Sequence, residues 1–278
     1  MHIEFALNSG LGYLDKFAKR LNLEIIDNVL SLPPQYGSGF AKIINIDDDL
    51  LVIIHSYCLN EPVSISCKAT NTDNNLITFQ FISHQESDNN YLSNIQVLND
   101  TIDVHHNIEK NTPICYVIVK IKIKKLISML GFTSDTPEIT TFADHLNRPF
   151  VYQEAMTLEM KEIIRELSGN SEHGKLEKFY YKIRVMELIY QFFIRFSRRA
   201  TYDFTNVSKN DIEKILSLES LILHDLKTPP KLSELAHSIC MSESKMKQLF
   251  KKIYGDSIYI SSYPLPINRL RPGAEWYF

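Results

Sequence analysis

The chain has 278 residues, 44% hydrophobic and 23% charged, the balance of an ordinary globular protein long enough for two domains and a sizeable core. Its net charge of −3 is unevenly spread, with 11 Lys+Arg against 17 Asp+Glu over residues 1–150 and 8 against 4 over residues 227–278, so that only the C-terminal end suits a polyanionic partner. No apolar run approaches the roughly 18–20 residues of a membrane helix, and MHIEFALNSGLGYLDKFAKR lacks the basic start and apolar stretch of a signal peptide, which excludes membrane spans and predicts a cytoplasmic protein.

Residues 1–30 read as a helical or mixed preface. From Gly39 to Ile123 the text is one of strands cut by turns: FAKIINI, LLVIIHSYCL, VSISCKA, LITFQFI and ICYVIVKIKI are short and rich in β-branched and aromatic residues. Asp47-Asp48-Asp49, Asn60-Glu61-Pro62, Asn71 to Asn75, Ser87 to Asn90 and Asn111-Thr112-Pro113 separate them, and all are turn formers. Short strands at this spacing predict an antiparallel β sandwich or barrel. After Pro149 the period becomes helical. TLEMKEIIRELSG sets Leu158, Ile163, Ile164 and Leu167 near one face and ends at Gly169. KLEKFYYKIRVMELIYQFFIRFSRRA follows as a longer helix whose apolar surface, including Tyr180, Leu188, Phe192 and Phe196, is broader than one stripe. Periodicity leaves open whether that surface is an internal core or a homodimer interface. TYDFTNVS reads as a linker, and the next helix, capped by Ser208, stops at Pro229-Pro230.

Catalytic and metal signatures are missing. His55, His84, His105 and His106 fall in the strand region without a metal-ligand spacing, and no G-x-S-x-G, P-loop or G-x-G-x-x-G occurs. Gly37-Ser38-Gly39 reads as a turn and Asp47–Asp49 as a hairpin turn. The widely spaced Cys58, Cys67, Cys115 and Cys240 read as reduced thiols, neither a disulfide framework nor a zinc site. The chain is therefore expected to be no enzyme and to need no cofactor or metal.

The stretch KLSELAHSICMSESKMKQLFKKIYG, residues 231–255, packs two short apolar-periodic segments around a four-residue joint. Leu232, Leu235, Ala236 and Ile239 share one face, and Met246, Leu249, Phe250 and Ile253 repeat the spacing. Two helices of about two turns each bury such stripes only against one another and a third helix, supplied by residues 208–226. Ser242 is a good N-cap and Gly255 a good C-terminal stop. Ser244, Lys245, Lys247, Gln248, Lys251 and Lys252 occupy the polar surface of the second helix. Lysines neutralise phosphates, Gln pairs with an adenine edge and Lys with a guanine edge. The same pattern also fits a solvated basic face.

This stretch resembles the first helix-turn-helix of the AraC/XylS family of bacterial transcription regulators, at Leu235-Ala236, Ser242, Met246, Leu249-Phe250-Lys251 and Gly255. Cys240 stands where the family often has Gly, and Gln248 where it often has Arg. The resemblance covers 208–259 by motif and 1–207 by architecture alone. It implies that Ser244, Lys247 and Gln248 face bases, that Ser242, Lys245 and Lys251 lie by the DNA backbone, and that Met246, Leu249 and Phe250 face inward. It also implies a small-molecule effector, expected in an apolar-lined pocket of the strand-rich part, and homodimerisation through the helix at 175–200. Family members carry a second helix-turn-helix after a linking helix that begins near Ser257. ISSYPLPINRLRPGAEWYF, with Pro264, Pro266 and Pro272, does not continue that pattern and reads as a truncated or frameshifted end.

The resulting expectation is an α+β chain: a β-rich ligand-sensing domain over 1–150, a helical dimerisation segment and linker over 151–206, and an incomplete helix-turn-helix domain over 207–278. It would regulate transcription through DNA that it binds weakly. The alternative is a small-molecule-binding or dimerising protein that no longer reads DNA.

Overall fold

The computed structural model describes residues 2–6, 12–69, 76–85, 91–99, 101–131, 149–169, 174–198, 207–224, 230–254 and 258. In chain order these form β1 (His2–Ala6), α1 (Gly12–Leu21), β2 (Val29–Ser31), β3 (Gly37–Asp47), β4 (Leu50–Leu59), β5 (Val63–Lys68), β6 (Leu76–Gln85), β7 (Tyr91–Asn99), β8 (Val104–Ile108), β9 (Pro113–Lys122) and α2 (Ile123–Leu130). Then come β10 (Val151–Ala155), α3 (Leu158–Leu167), α4 (Glu177–Arg198), α5 (Lys209–His224), α6 (Leu232–Ser238) and α7 (Glu243–Tyr254). The expected linker over 201–206, Gly255 and the tail from Tyr259 onward lie outside the described residues.

The architecture is α+β with a mostly antiparallel sheet. Seven strands run in the order β10-β7-β6-β9-β4-β3-β2, and a smaller sheet runs β1-β5-β8. In the smaller sheet β1 pairs with β5 in parallel, a departure from all-antiparallel pairing. Strand alternation divides the large sheet into two faces. On the first, Val52, Phe79, Phe81, Val97 and Val119 pack with Met160 and Ile164 of α3 and Leu188 and Phe192 of α4. Phe79 and Phe192 meet edge to face at 5.3 Å, and each buried aromatic of this kind stabilises by about 1.5–3 kcal/mol. On the second face, at the β3–β4–β9 end, Ala41, Ile43, Ile53 and Tyr57 meet Val63 and Ile65 of β5, Ile108 of β8 and Leu14 and Phe17 of α1. At the β7–β10 end of that face a third cluster joins Leu98 and Val151 to Ile212, Ile215, Met246 and Phe250.

Several expectations need correction. Strand β10 begins two residues after Pro149, so the change to helical period comes later, at α3. Leu158 is exposed, and Met160 takes its place on the buried face of α3. Gly37-Ser38-Gly39 is no turn but the start of β3. Gly39 sits opposite Tyr57 at φ +105°, where an added Cβ would lie 2.1 Å from the Ser56 carbonyl oxygen; only glycine lets the two strands come so close. The acid run does make the β3–β4 turn, with the Asp49 N–H donating to Asp47 at 3.0 Å.

The large apolar surface of α4 has two parts. Leu188, Phe192 and Phe196 are buried within the chain, against Phe79 and Tyr152, so they form no interface. Leu176, Phe179, Ile183, Met186 and Tyr190 make a separate stripe, each 40–68% exposed.

Candidate nucleic-acid interface

Helix α6 begins with the Glu234 carboxylate accepting from the Lys231 N–H at 3.0 Å, which satisfies one of the N–H groups that a helix start leaves open. Its end is a Schellman turn. The Met241 N–H donates to the Ala236 carbonyl and the Cys240 N–H to the His237 carbonyl, both at 3.0 Å, closing the 6→1 and 5→2 pair of bonds. That geometry requires a left-handed residue at the joint, and Cys240 occupies it at φ +50°. The position where the resembled family often has Gly is thus the one where the backbone favours Gly. Ser242 then starts α7: its Oγ accepts from the Lys245 N–H at 3.3 Å, and its carbonyl accepts from the Met246 N–H.

The two faces of α7 separate cleanly. Met246, Leu249, Phe250 and Ile253 are buried against Ile212 and Ile215 of α5 and Leu235 and Ala236 of α6, with Phe250 and Tyr254 stacked at 4.3 Å. Ser242, Ser244, Lys245, Lys247, Gln248 and Lys251 are all exposed. The sequence-based set therefore lies on one solvent-facing surface of a helix roughly 18 Å long, beside which a B-DNA major groove about 12 Å wide would fit.

Acidic partners missed in the sequence restrain this surface. Lys245 Nζ lies 2.9 Å from Asp211 of α5, and Lys247 Nζ lies 3.2 Å from Glu243. The second pair was legible as an acid four residues before a lysine; the first needs the tertiary fold. The Asp211 carboxyl, although partly desolvated, is held below its usual range by Lys245 and Ser208. Lys251 and Lys252 have no ion-pair partner among the described residues. Lys214 Nζ reaches the Cys240 carbonyl at 3.4 Å and ties α5 to the joint.

In the strand-rich part, a depression of about 340 Å³ opens at the β3–β4 turn, lined among others by Asp47, Asp49, Leu51, Leu76, Lys120 and Lys122. Its lining is mixed in charge and polarity rather than apolar. Among the described residues no group of three His, Cys, Asp or Glu is placed to hold a metal, and no helix is long and apolar enough to cross a membrane.

No protein-family model matches the chain, and no curated protein matches it. Among solved structures, apo ToxT, a variant from Vibrio cholerae strain SCE256, aligns at 9% identity over 78% of this chain and 97% of its own, with a TM-score of 0.35. Unsaturated fatty acid-bound wild-type ToxT from the same strain aligns at 11% identity over 74% of each chain, with a TM-score of 0.33. Overlap as loose as this does not fix a function, which has to come from the residues themselves.

Proposed function

We propose that this chain is a cytoplasmic DNA-binding transcription regulator of the AraC/XylS type, acting by binding rather than catalysis, dimeric, and responsive to a small-molecule effector. The observation that supports it best is α7. Its inner face is fixed in a shared core while Ser244, Lys247, Gln248 and Lys251 stand together in solvent, the side chains that pair with base edges and phosphates. Binding is weak, because Lys245 and Lys247 must first leave Asp211 and Glu243.

Those same two ion pairs favour the second reading, a ligand-binding or dimerising protein that does not read DNA. Selection from a random duplex pool, followed by anisotropy titrations between about 50 and 200 mM salt, separates the two. The regulator reading expects micromolar, salt-dependent binding. Lys251→Ala then reduces the logarithmic salt slope by about 1, and Glu243→Gln, which releases Lys247, tightens binding several-fold. Salt-independent or absent binding, unchanged in Glu243→Gln, leaves the second reading.

For the dimer, the supporting feature is the exposed stripe on α4. It offers roughly 500 Å² of apolar side chain per copy. Two copies pairing by it would bury about 1,000 Å², at the lower bound for a specific interface.

A further inference from the structure

The second face of the large sheet carries polar residues where a core would place apolar ones. Gln80 of β6, Gln96 of β7 and Gln153 of β10 stand in one register row, and all three are buried. The Gln96 amide nitrogen donates to Gln153 Oε1 at 3.3 Å. Gln80 Oε1, Gln96 Oε1 and, one row along, Asn94 Oδ1 are buried acceptors that receive no hydrogen bond. Three such oxygens on two adjacent strands are a standing cost to the fold, one that apolar side chains of similar shape would remove.

We propose that the cluster Gln80, Gln96 and Asn94, spanning two neighbouring rows, is the seat of a small ligand that donates hydrogen bonds, with hydroxyl or amide N–H groups set along the strands. This deepens the effector part of the function proposed above and does not depend on α7. The acceptors call for donors, which a long hydrocarbon chain does not supply, so the ligand class is polar and donor-bearing. The oxygens are closed to water as they stand, but the row leads to an opening. The next register row on the same face is Thr78, Lys120 and Leu51, and Lys120 and Leu51 line the depression at the β3–β4 turn. With its three rotatable side-chain bonds, Gln80 can turn its amide toward that opening.

Gln80→Met and Gln96→Met, each in the full chain, test the proposal by thermal melting and by saturation-transfer NMR with three probes: myo-inositol, N-methylurea and octanoate. Methionine keeps the volume and removes the orphaned amide. Gln80→Met should melt higher, by roughly 2–4 °C, whereas Gln96→Met also takes the donor from Gln153 Oε1 and should melt little changed. At least one of the two donor-bearing probes should bind the unaltered chain and weaken at least tenfold in both variants, while any octanoate signal stays unchanged. A lower melting point in Gln80→Met would show that amide to be a structural brace and overturn the proposal. No row-dependent binding of myo-inositol or N-methylurea, or octanoate binding that depends on the row, overturns the proposal as well. None of these outcomes bears on whether α7 binds DNA, which the salt titration reads separately.

Discussion

Cys240 carries a conformational cost that the sequence alone could only suggest. At φ +50° its Cβ crowds the following carbonyl, a penalty of roughly 1–2 kcal/mol for a residue other than glycine, partly offset because a glycine loses more backbone entropy on folding. The side chain is exposed, so replacing it removes little packing. Cys240→Gly is expected to raise stability by about 0.5–1 kcal/mol, read as a higher urea midpoint at unchanged slope, and Cys240→Val to lower it. If glycine lowers the midpoint, the thiol is doing something at the joint that backbone geometry does not account for.

Helix α4 shows how one element divides its faces. Leu176, Phe179, Ile183, Met186 and Tyr190 follow steps of three and four, the spacing of a helix–helix seam, with Leu176 in the short turn that leads into the helix. Ile183 is at the middle of the stripe, so Ile183→Glu is expected to dissociate the proposed dimer while leaving the melting point of the monomer nearly unchanged. Sedimentation at tens of micromolar protein checks this, and a chain that is monomeric before the substitution defeats the idea outright. The sequence made the breadth of this apolar surface plain but not its division, because exposure depends on what α3 and the sheet cover. The α6–α7 pair was legible down to individual residues, since its stripes, its N-cap and its joint are all local. Strands β7, β8 and β10 were not. Asn94, Gln96, His105, His106, Gln153 and Glu154 interrupt their apolar pattern, so these polar side chains masked the strands holding them.

Between the two sheets one buried imidazole is held neutral. His55 is buried, with Tyr57 edge-on at 5.7 Å and Tyr116 opposite it on β9. Burial, and secondly the charge of His106, push its pKa down to about 3. The unfolded chain takes up this proton near pH 6.5 and the folded chain does not. Stability is therefore complete above about 6.5 and declines as the pH falls toward 3, by up to about 1.4 kcal/mol per pH unit from this group. Urea unfolding at neutral and mildly acidic pH should show that decline, and His55→Phe should flatten it whatever the variant's stability at neutral pH. An unchanged slope would mean that carboxylates alone set the acid limit. The third core cluster has a consequence of another kind. Leu98 and Val151 of the sheet share their contacts with Ile212, Met246 and Phe250, so the helix pair owns only part of the floor it stands on. It is not a portable cassette: a gene fusion that moved α5–α7 onto another domain would carry an uncovered apolar base. Its heredity is tied to one edge of one sheet, where drift at Leu98 has to be answered on α5 or α7.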